Sequence, residues 1–222
     1  MNEVEAIIEQ VKQWEYYQNL SEELHGFRLE RMLTQTEAKL FLFGYHCPRL
    51  QRSAYALYDA ATKEFMLHTV IGLFTFCDIQ YISVELAGFE QTLKQRFDRT
   101  LQDLTVFRRE EMGSPFIAKQ ILEKDFNLPE QLCGFELFIR PDRPVKIING
   151  SFIVIDYSDF ATESSLTVYY NIYRDEFFSE RRVRRLPQIV ADFDSKEVDE
   201  LAEKLADRLQ PALSELRDLL TV

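Results

Sequence analysis

The spacing of apolar residues predicts three amphipathic helices, and Ser114 with Pro115 indicates the start of a further one at "SPFIAKQIL". Near the N-terminus, one helical face is formed by Val4, Ile7, Ile8, Val11 and Trp14. Two longer stripes have the same period: Leu86, Phe89, Leu93, Phe97, Leu101 and Leu104 in the first half, and Val198, Leu201, Leu205, Leu209, Leu213 and Leu216 in the second. We expect both long helices to bury these stripes against a sheet, and we expect Pro211 to kink or restart the second helix.

Apolar and alternating runs between these helices predict β-strands. The runs are "FRLERML", "AKLFLFGY", "SAYALYDA" and "EFMLHTVIGLFTF" in the first half, and "FELFIRP", "SFIVIDY", "SLTVYYNIY" and "EFFSERRVRRL" in the second. Short polar links such as "DAATK" are typical of hairpins, so we expect the sheets to be antiparallel.

One stretch of the chain occurs twice. The segment "NLSEELHGFRL", which begins at Asn19, returns as "NLPEQLCGFEL" at Asn127 with seven of eleven residues identical. Asn19 and Glu22 have the spacing of a capping box, and Gly26 stands where a chain commonly leaves a helix. We therefore interpret both copies as a helix end followed by a strand.

Further matches recur at a spacing of 112 residues and include three pairs: Tyr45 with Tyr157, Tyr58 with Tyr170, and Arg96 with Arg208. The expected fold class is α+β with an internal duplication, each copy being an antiparallel sheet flanked by an N-terminal helix and a long C-terminal helix. We place the copies at residues 1–108 and 109–222, with the polar segment around Gly113 between them. The pattern is compatible with two separate sheets or one continuous sheet.

Composition and charge narrow the possible partners. The chain has 222 residues, 46% of them apolar, and a formal net charge of −11. No apolar run approaches the roughly 20 residues of a membrane span, and the acidic N-terminus differs from a signal peptide, so we expect a cytoplasmic protein without membrane insertion. The negative charge disfavours nucleic acid as a partner. Another protein or a small molecule is expected instead, and a homo-oligomer is possible.

Motifs for catalysis or cofactor binding are missing from the sequence. It contains neither a glycine-rich phosphate loop nor "GxSxG", and His25, His46 and His68 lack the spacing of a helical metal-binding pair. The three cysteines, an odd number, are far apart in the sequence, which suggests neither a disulfide framework nor a zinc site. We expect them to be buried thiols. We expect no metal and no cofactor, and we favour a protein that is not an enzyme.

The matched tyrosines and arginines allow two interpretations. In the first, each tyrosine packs in a sheet and its hydroxyl lies at the rim, which is the interpretation we favour. In the second, Tyr45, Tyr58 and Arg96 line a pocket between sheet and long helix for an anionic ligand, and a second such pocket is lined by Tyr157, Tyr170 and Arg208.

The last predicted strand differs most between the halves. The first half reads "TVIGLFTF" where the second reads "RRVRRLPQ". These arginines either protect an exposed sheet edge or bind an anionic partner, and Arg182 and Arg184 share a face if the strand is continuous. Our leading hypothesis is a non-catalytic, chaperone-like interaction or assembly protein. The alternative is a small-molecule binding protein or enzyme with the tyrosine pocket.

Overall fold

The chain divides into two compact units, Met1–Val106 and Phe107–Val222. A computed structural model describes residues 3–147 and 150–221. Each unit combines one antiparallel sheet with helices, so the predicted α+β class and the antiparallel pairing are confirmed.

The first unit is a six-stranded meander in the order β1-β2-β3-β4-β5-β6. Its elements are α1 (Glu3–Lys12), α2 (Glu15–Gln18), β1 (Glu23–Leu24), β2 (Phe27–Thr36), β3 (Lys39–Cys47), β4 (Arg52–Asp59), β5 (Glu64–Ile71), β6 (Phe74–Cys77) and α3 (Leu86–Asp103). Short 3-10 turns lie at Pro48–Leu50 and Ile79–Tyr81.

The second unit has a seven-stranded sheet, in which six strands follow the order β13-β12-β11-β10-β8-β7 and β9 pairs with β10. Its elements are α4 (Ser114–Ala118), β7 (Gln131–Leu132), β8 (Phe135–Ile139), β9 (Val145–Lys146), β10 (Ser151–Asp159), β11 (Ser164–Asn171), β12 (Glu176–Val183), β13 (Leu186–Ser195) and α5 (Val198–Leu220). A 3-10 turn at Arg109–Glu111 precedes them.

The long helices form where the apolar stripes predict them. In α5 the buried stripe consists of Leu201, Leu205, Leu209, Leu213 and Leu216. These leucines belong to one core cluster with sheet residues such as Phe152 and Phe177. Burial of each such side chain contributes roughly 1.5 to 3 kcal/mol before entropy is subtracted, so the helix is fixed to its sheet by this stripe.

The helix-end interpretation of the repeated segment is wrong, because both copies are tight β-hairpins. His25 and Gly26 join β1 to β2 with φ angles of 50° and 81°, and Cys133 and Gly134 join β7 to β8 with 51° and 82°. Positive φ at both central residues is the geometry of a type I′ turn. Glycine serves a helix end and this turn equally well, so the local signal was ambiguous.

Two predicted strands are each divided by a turn. The first breaks at Gly72 and Leu73, between β5 and β6, and the second breaks at Arg184 and Arg185, between β12 and β13. In contrast, α5 continues through Pro211, so the predicted restart does not occur. Buried leucines on both sides of the proline hold this helix together.

Candidate interaction surfaces

Tyr45 and Tyr157 tie each sheet to the segment that precedes its first hairpin. Both side chains are fully buried. The Tyr45 hydroxyl donates to the carbonyl oxygen of Ser21 at 2.6 Å, and the Tyr157 hydroxyl donates to that of Pro129 at 2.7 Å. Burial raises the pKa of each tyrosine to about 12. Both hydroxyls are therefore neutral donors that already have an acceptor within the chain.

Tyr58 and Tyr170 bind carboxylates instead. The Tyr58 hydroxyl donates to Glu3 Oε1 at 2.8 Å, and the Tyr170 hydroxyl donates to Asp175 Oδ1 at 2.7 Å. Burial, and then the hydrogen bond to the carboxylate, raise the pKa of both tyrosines, to about 12 for Tyr58. The same hydrogen bonds lower the pKa of Glu3 and Asp175.

Arg96 and Arg208 lie exposed on α3 and α5. Arg208 Nη1 is 3.2 Å from a carboxylate oxygen of Asp192. Within residues 3–147 and 150–221, no hydrogen bond or ion pair joins either arginine to the matched tyrosines. The anionic-ligand pocket that these residues suggested therefore stays a prediction.

Arg182 and Arg184 do not share one strand face, because β12 ends at Val183. The Arg182 guanidinium donates to Glu180 Oε1 at 2.8 Å, and its side chain is 15% exposed. Arg184 lies in the turn with a φ of 47°, and its guanidinium donates to the carbonyl oxygen of Leu220 at 3.2 Å. Of the two candidate partner-binding arginines, Arg182 thus lies mostly buried on a strand, whereas Arg184 lies in a turn beside the end of α5.

The neighbouring arginines also have partners within the second unit. Arg181 Nε donates to Gln188 Oε1 across the β12–β13 hairpin at 2.9 Å. Arg185 forms an ion pair with Glu163. Both arginines therefore make contacts within the second unit that do not require a partner.

Strand β13 forms an edge of the sheet next to these arginines, and residues 186–190 at its start carry no charge. It pairs with β12 on one side, and no strand of the described residues pairs with its other side. Leu186 is 69% exposed and Ile189 is 86% exposed, although both are apolar. An edge strand with exposed backbone groups and apolar side chains is a template for a further strand. The exposure of Ile189 was not predicted from the sequence, although the turn that starts this edge lies within the basic run, at Arg184 and Arg185.

A buried polar network lies on β10, β11 and β12. Asp156 is fully buried and accepts hydrogen bonds from the hydroxyls of Ser158 at 2.5 Å and Thr167 at 2.6 Å. Burial raises the pKa of Asp156 to about 6, although these hydroxyls and the charge of Arg182 oppose the shift. The sequence carries no signal for this network, because Asp156 stands alone within an apolar run.

The described part of the chain holds no group of three or more His, Cys, Asp or Glu residues arranged for a metal ion. None of its helices is both long enough and apolar enough to cross a membrane.

In comparisons with known proteins, no family model, no curated protein and no solved structure matches the chain.

Proposed function

We propose that the chain is a non-catalytic protein-binding protein, of the assembly or chaperone-like kind, built from two diverged copies of one α+β unit. The observation that carries this proposal is the β13 edge, where Leu186 and Ile189 are exposed and no strand of the described residues pairs with the outer side. Proteins commonly protect such an edge with proline or charged residues, because it can pair with another chain. In β13, Pro187, Asp192 and Asp194 are residues of this kind, but the stretch 186–190 carries no charge. An extended segment of a partner would add to β13 as the next strand.

The duplication is supported by elements that recur 112 residues apart. Strands β3, β4 and β5 have the same lengths as β10, β11 and β12, and every boundary is shifted by this number. The β3–β4 pairing shifts register between Phe41 and Phe43, and the β10–β11 pairing shifts between Ile153 and Ile155. A β-bulge is a specific feature, so its recurrence at matched positions favours a common origin of the two units.

The two units differ at the edge that we assign to binding. In the first unit, β6 has four residues, whereas β13 has ten. A longer edge offers more backbone groups and more side chains to an added strand. The matched tyrosines favour this proposal over a small-molecule pocket, because their hydroxyls are hydrogen-bonded within the chain.

The test compares two lysine variants in affinity purification from the native cell, followed by quantitative mass spectrometry. Ile189→Lys places a charge on the β13 edge, and Ile79→Lys is the matched control, because Ile79 is 79% exposed in the first unit. Both changes are expected to alter stability by no more than about 0.5 kcal/mol. We expect proteins that co-purify with the wild type and with Ile79→Lys to be lost with Ile189→Lys. An unchanged set of partners, or no reproducible partner of the wild type, would refute the proposal.

A third variant examines the basic turn beside the edge. If Arg184 contacts the partner, Arg184→Glu slows association, and the effect diminishes as salt increases. Association that is unchanged at low salt would limit Arg184 to its contact with the end of α5.

A further inference from the structure

A groove runs along α5 on the side of the chain segment that precedes β7. We call it the α5 groove and define it by Phe126, Leu128, Leu132, Ala202, Ala206 and Leu209, which line a cavity of about 640 Å³. Ala206 is exposed, and Phe126 and Leu209 form the buried floor. The ion pair between Lys124 and Asp199, at 2.6 Å, separates this cavity from one of about 830 Å³ at the start of α5.

The first unit has aromatic side chains at the corresponding place on its long helix. At a spacing of 112 residues, Glu90 and Lys94 of α3 correspond to Ala202 and Ala206 of α5. The Trp14 indole nitrogen donates to Glu90 Oε2 at 2.6 Å, and the Trp14 ring stacks on Tyr16 with 5.2 Å between centroids. This comparison rests on the proposed duplication. In the first unit, Trp14 lies against Glu90, and a cavity of about 490 Å³ lined by Glu90 and Lys94 remains beside α3. At the corresponding positions α5 offers only two methyl groups.

The charges around the α5 groove define the occupant further. Asp125 and Glu203 line it, both are exposed, and neither has a cationic partner among the described residues. Asp199 is already paired with Lys124. The rim is therefore acidic, and the net charge of −11 on the whole chain adds to its potential. A second copy of this chain would carry the same charge, whereas a basic segment would be attracted.

We propose that the α5 groove binds a basic peptide segment of a partner protein through one aromatic side chain, a tryptophan or a tyrosine. The ring packs between Phe126, Leu209 and the two alanines, and lysine or arginine residues beside it pair with Asp125 and Glu203. Aromatic side chains bury large areas at low entropic cost and commonly anchor such contacts. This site lies on α5 and is separate from the β13 edge.

The proposal is tested with a synthetic peptide that carries one tryptophan between lysines and a fluorescein label. Fluorescence anisotropy measures its affinity for the full chain, and two control peptides replace either the tryptophan with alanine or the lysines with glutamates. We expect saturable binding of the first peptide, and affinity lower by about tenfold or more for each control peptide. No saturation up to about 1 mM peptide would overturn the proposal.

Protein variants locate the binding site. Ala206→Trp fills the groove and should weaken peptide affinity by about tenfold or more, and Glu203→Lys should weaken it by about threefold or more and reduce its salt dependence. The matched controls are Asp207→Trp and Glu215→Lys, at exposed positions of α5 outside the groove. Both should bind as the wild type does. Thermal unfolding verifies that each variant is folded.

The outcomes separate this proposal from that for the β13 edge. Ile189→Lys should leave peptide affinity unchanged. Binding that survives Ala206→Trp but is lost in Ile189→Lys would overturn the α5 groove and leave the edge proposal standing. Analytical ultracentrifugation shows whether the first peptide makes the chain dimerise. If it does, and peptide affinity is unchanged in Ala206→Trp, the groove is likewise excluded as the binding site.

Discussion

The buried carboxyl group of Asp156 makes the stability of the second unit depend on pH. Its pKa is raised from an ordinary value of 3.8 to about 6 because burial disfavours the charged form. A raised pKa means that the folded state holds the proton more tightly than the unfolded state. The stabilisation is complete below pH 3.8 and is lost as pH rises through 6. The difference corresponds to about 3 kcal/mol for a fully buried group.

Replacing Asp156 with Asn tests this magnitude. The amide has nearly the same shape, does not ionise, and can still hydrogen-bond with Ser158 and Thr167. We expect the variant to become more stable relative to wild type as pH rises from about 4.5 to 7.5, by roughly 2 kcal/mol. Other carboxyl groups titrate equally in both proteins, so the difference isolates Asp156.

The assay is urea unfolding at several pH values, followed through the exchange of amide hydrogens in β10 and β11 so that the second unit is observed by itself. Asp142→Asn is the control, because Asp142 is an exposed carboxylate in the same unit. A stability difference between Asp156→Asn and wild type that stays constant with pH would refute the reasoning. If the variant does not fold, the carboxyl carbon of Asp156 in the wild type can be titrated by NMR, and a midpoint near 4 would refute it equally.

Two further predictions concern hydrogen bonds and turns. Tyr45→Phe and Tyr157→Phe should each lower the free energy of unfolding of their unit by about 0.5 to 1.5 kcal/mol, because each removes a hydrogen bond to a backbone carbonyl. A cost in one unit only, measured by urea unfolding, would argue against equivalent roles. Arg185→Gly should stabilise the β12–β13 hairpin by about 0.5 to 1 kcal/mol, since the φ of Arg185 is 73°. A lower midpoint of thermal unfolding for Arg185→Gly would contradict this. Because the variant also loses the ion pair to Glu163, the effect of that loss alone is measured in Glu163→Gln.

Elements that depend on local periodicity could be predicted from the sequence. The leucine stripe of α5 and the apolar runs of β3 and β10 are examples, because burial imposes a period along a single segment. The turn at Arg184 and Arg185 could not be predicted, because neither residue is the glycine or asparagine that a type I′ turn prefers. There, the pairing of the two flanking strands overrides the local preference.

Features that depend on two distant segments were also beyond sequence analysis. The contact between Asp156 and Thr167 requires the register of β10 against β11, which no local pattern specifies. The α5 groove forms because Phe126 and Leu128 lie beside Ala202 and Ala206, which are far away from them in the sequence. The matched tyrosines were found from the repeat, but their acceptors, the carbonyls of Ser21 and Pro129, carry no side-chain signal.

The contacts of Arg217 near the end of α5 have a consequence for synthesis on the ribosome. Its guanidinium binds the carbonyl of Cys133 at 3.0 Å and the carboxylate of Asp159 at 2.7 Å, and it lies 4.4 Å from the centre of the Phe135 ring. Arg217 therefore joins the β7–β8 turn, the start of β8 and the end of β10. At typical translation rates, roughly 5 to 20 s pass between synthesis of the end of the first unit and synthesis of α5. Throughout that interval the first unit can fold, while the nascent strands of the second await the helix that completes their core.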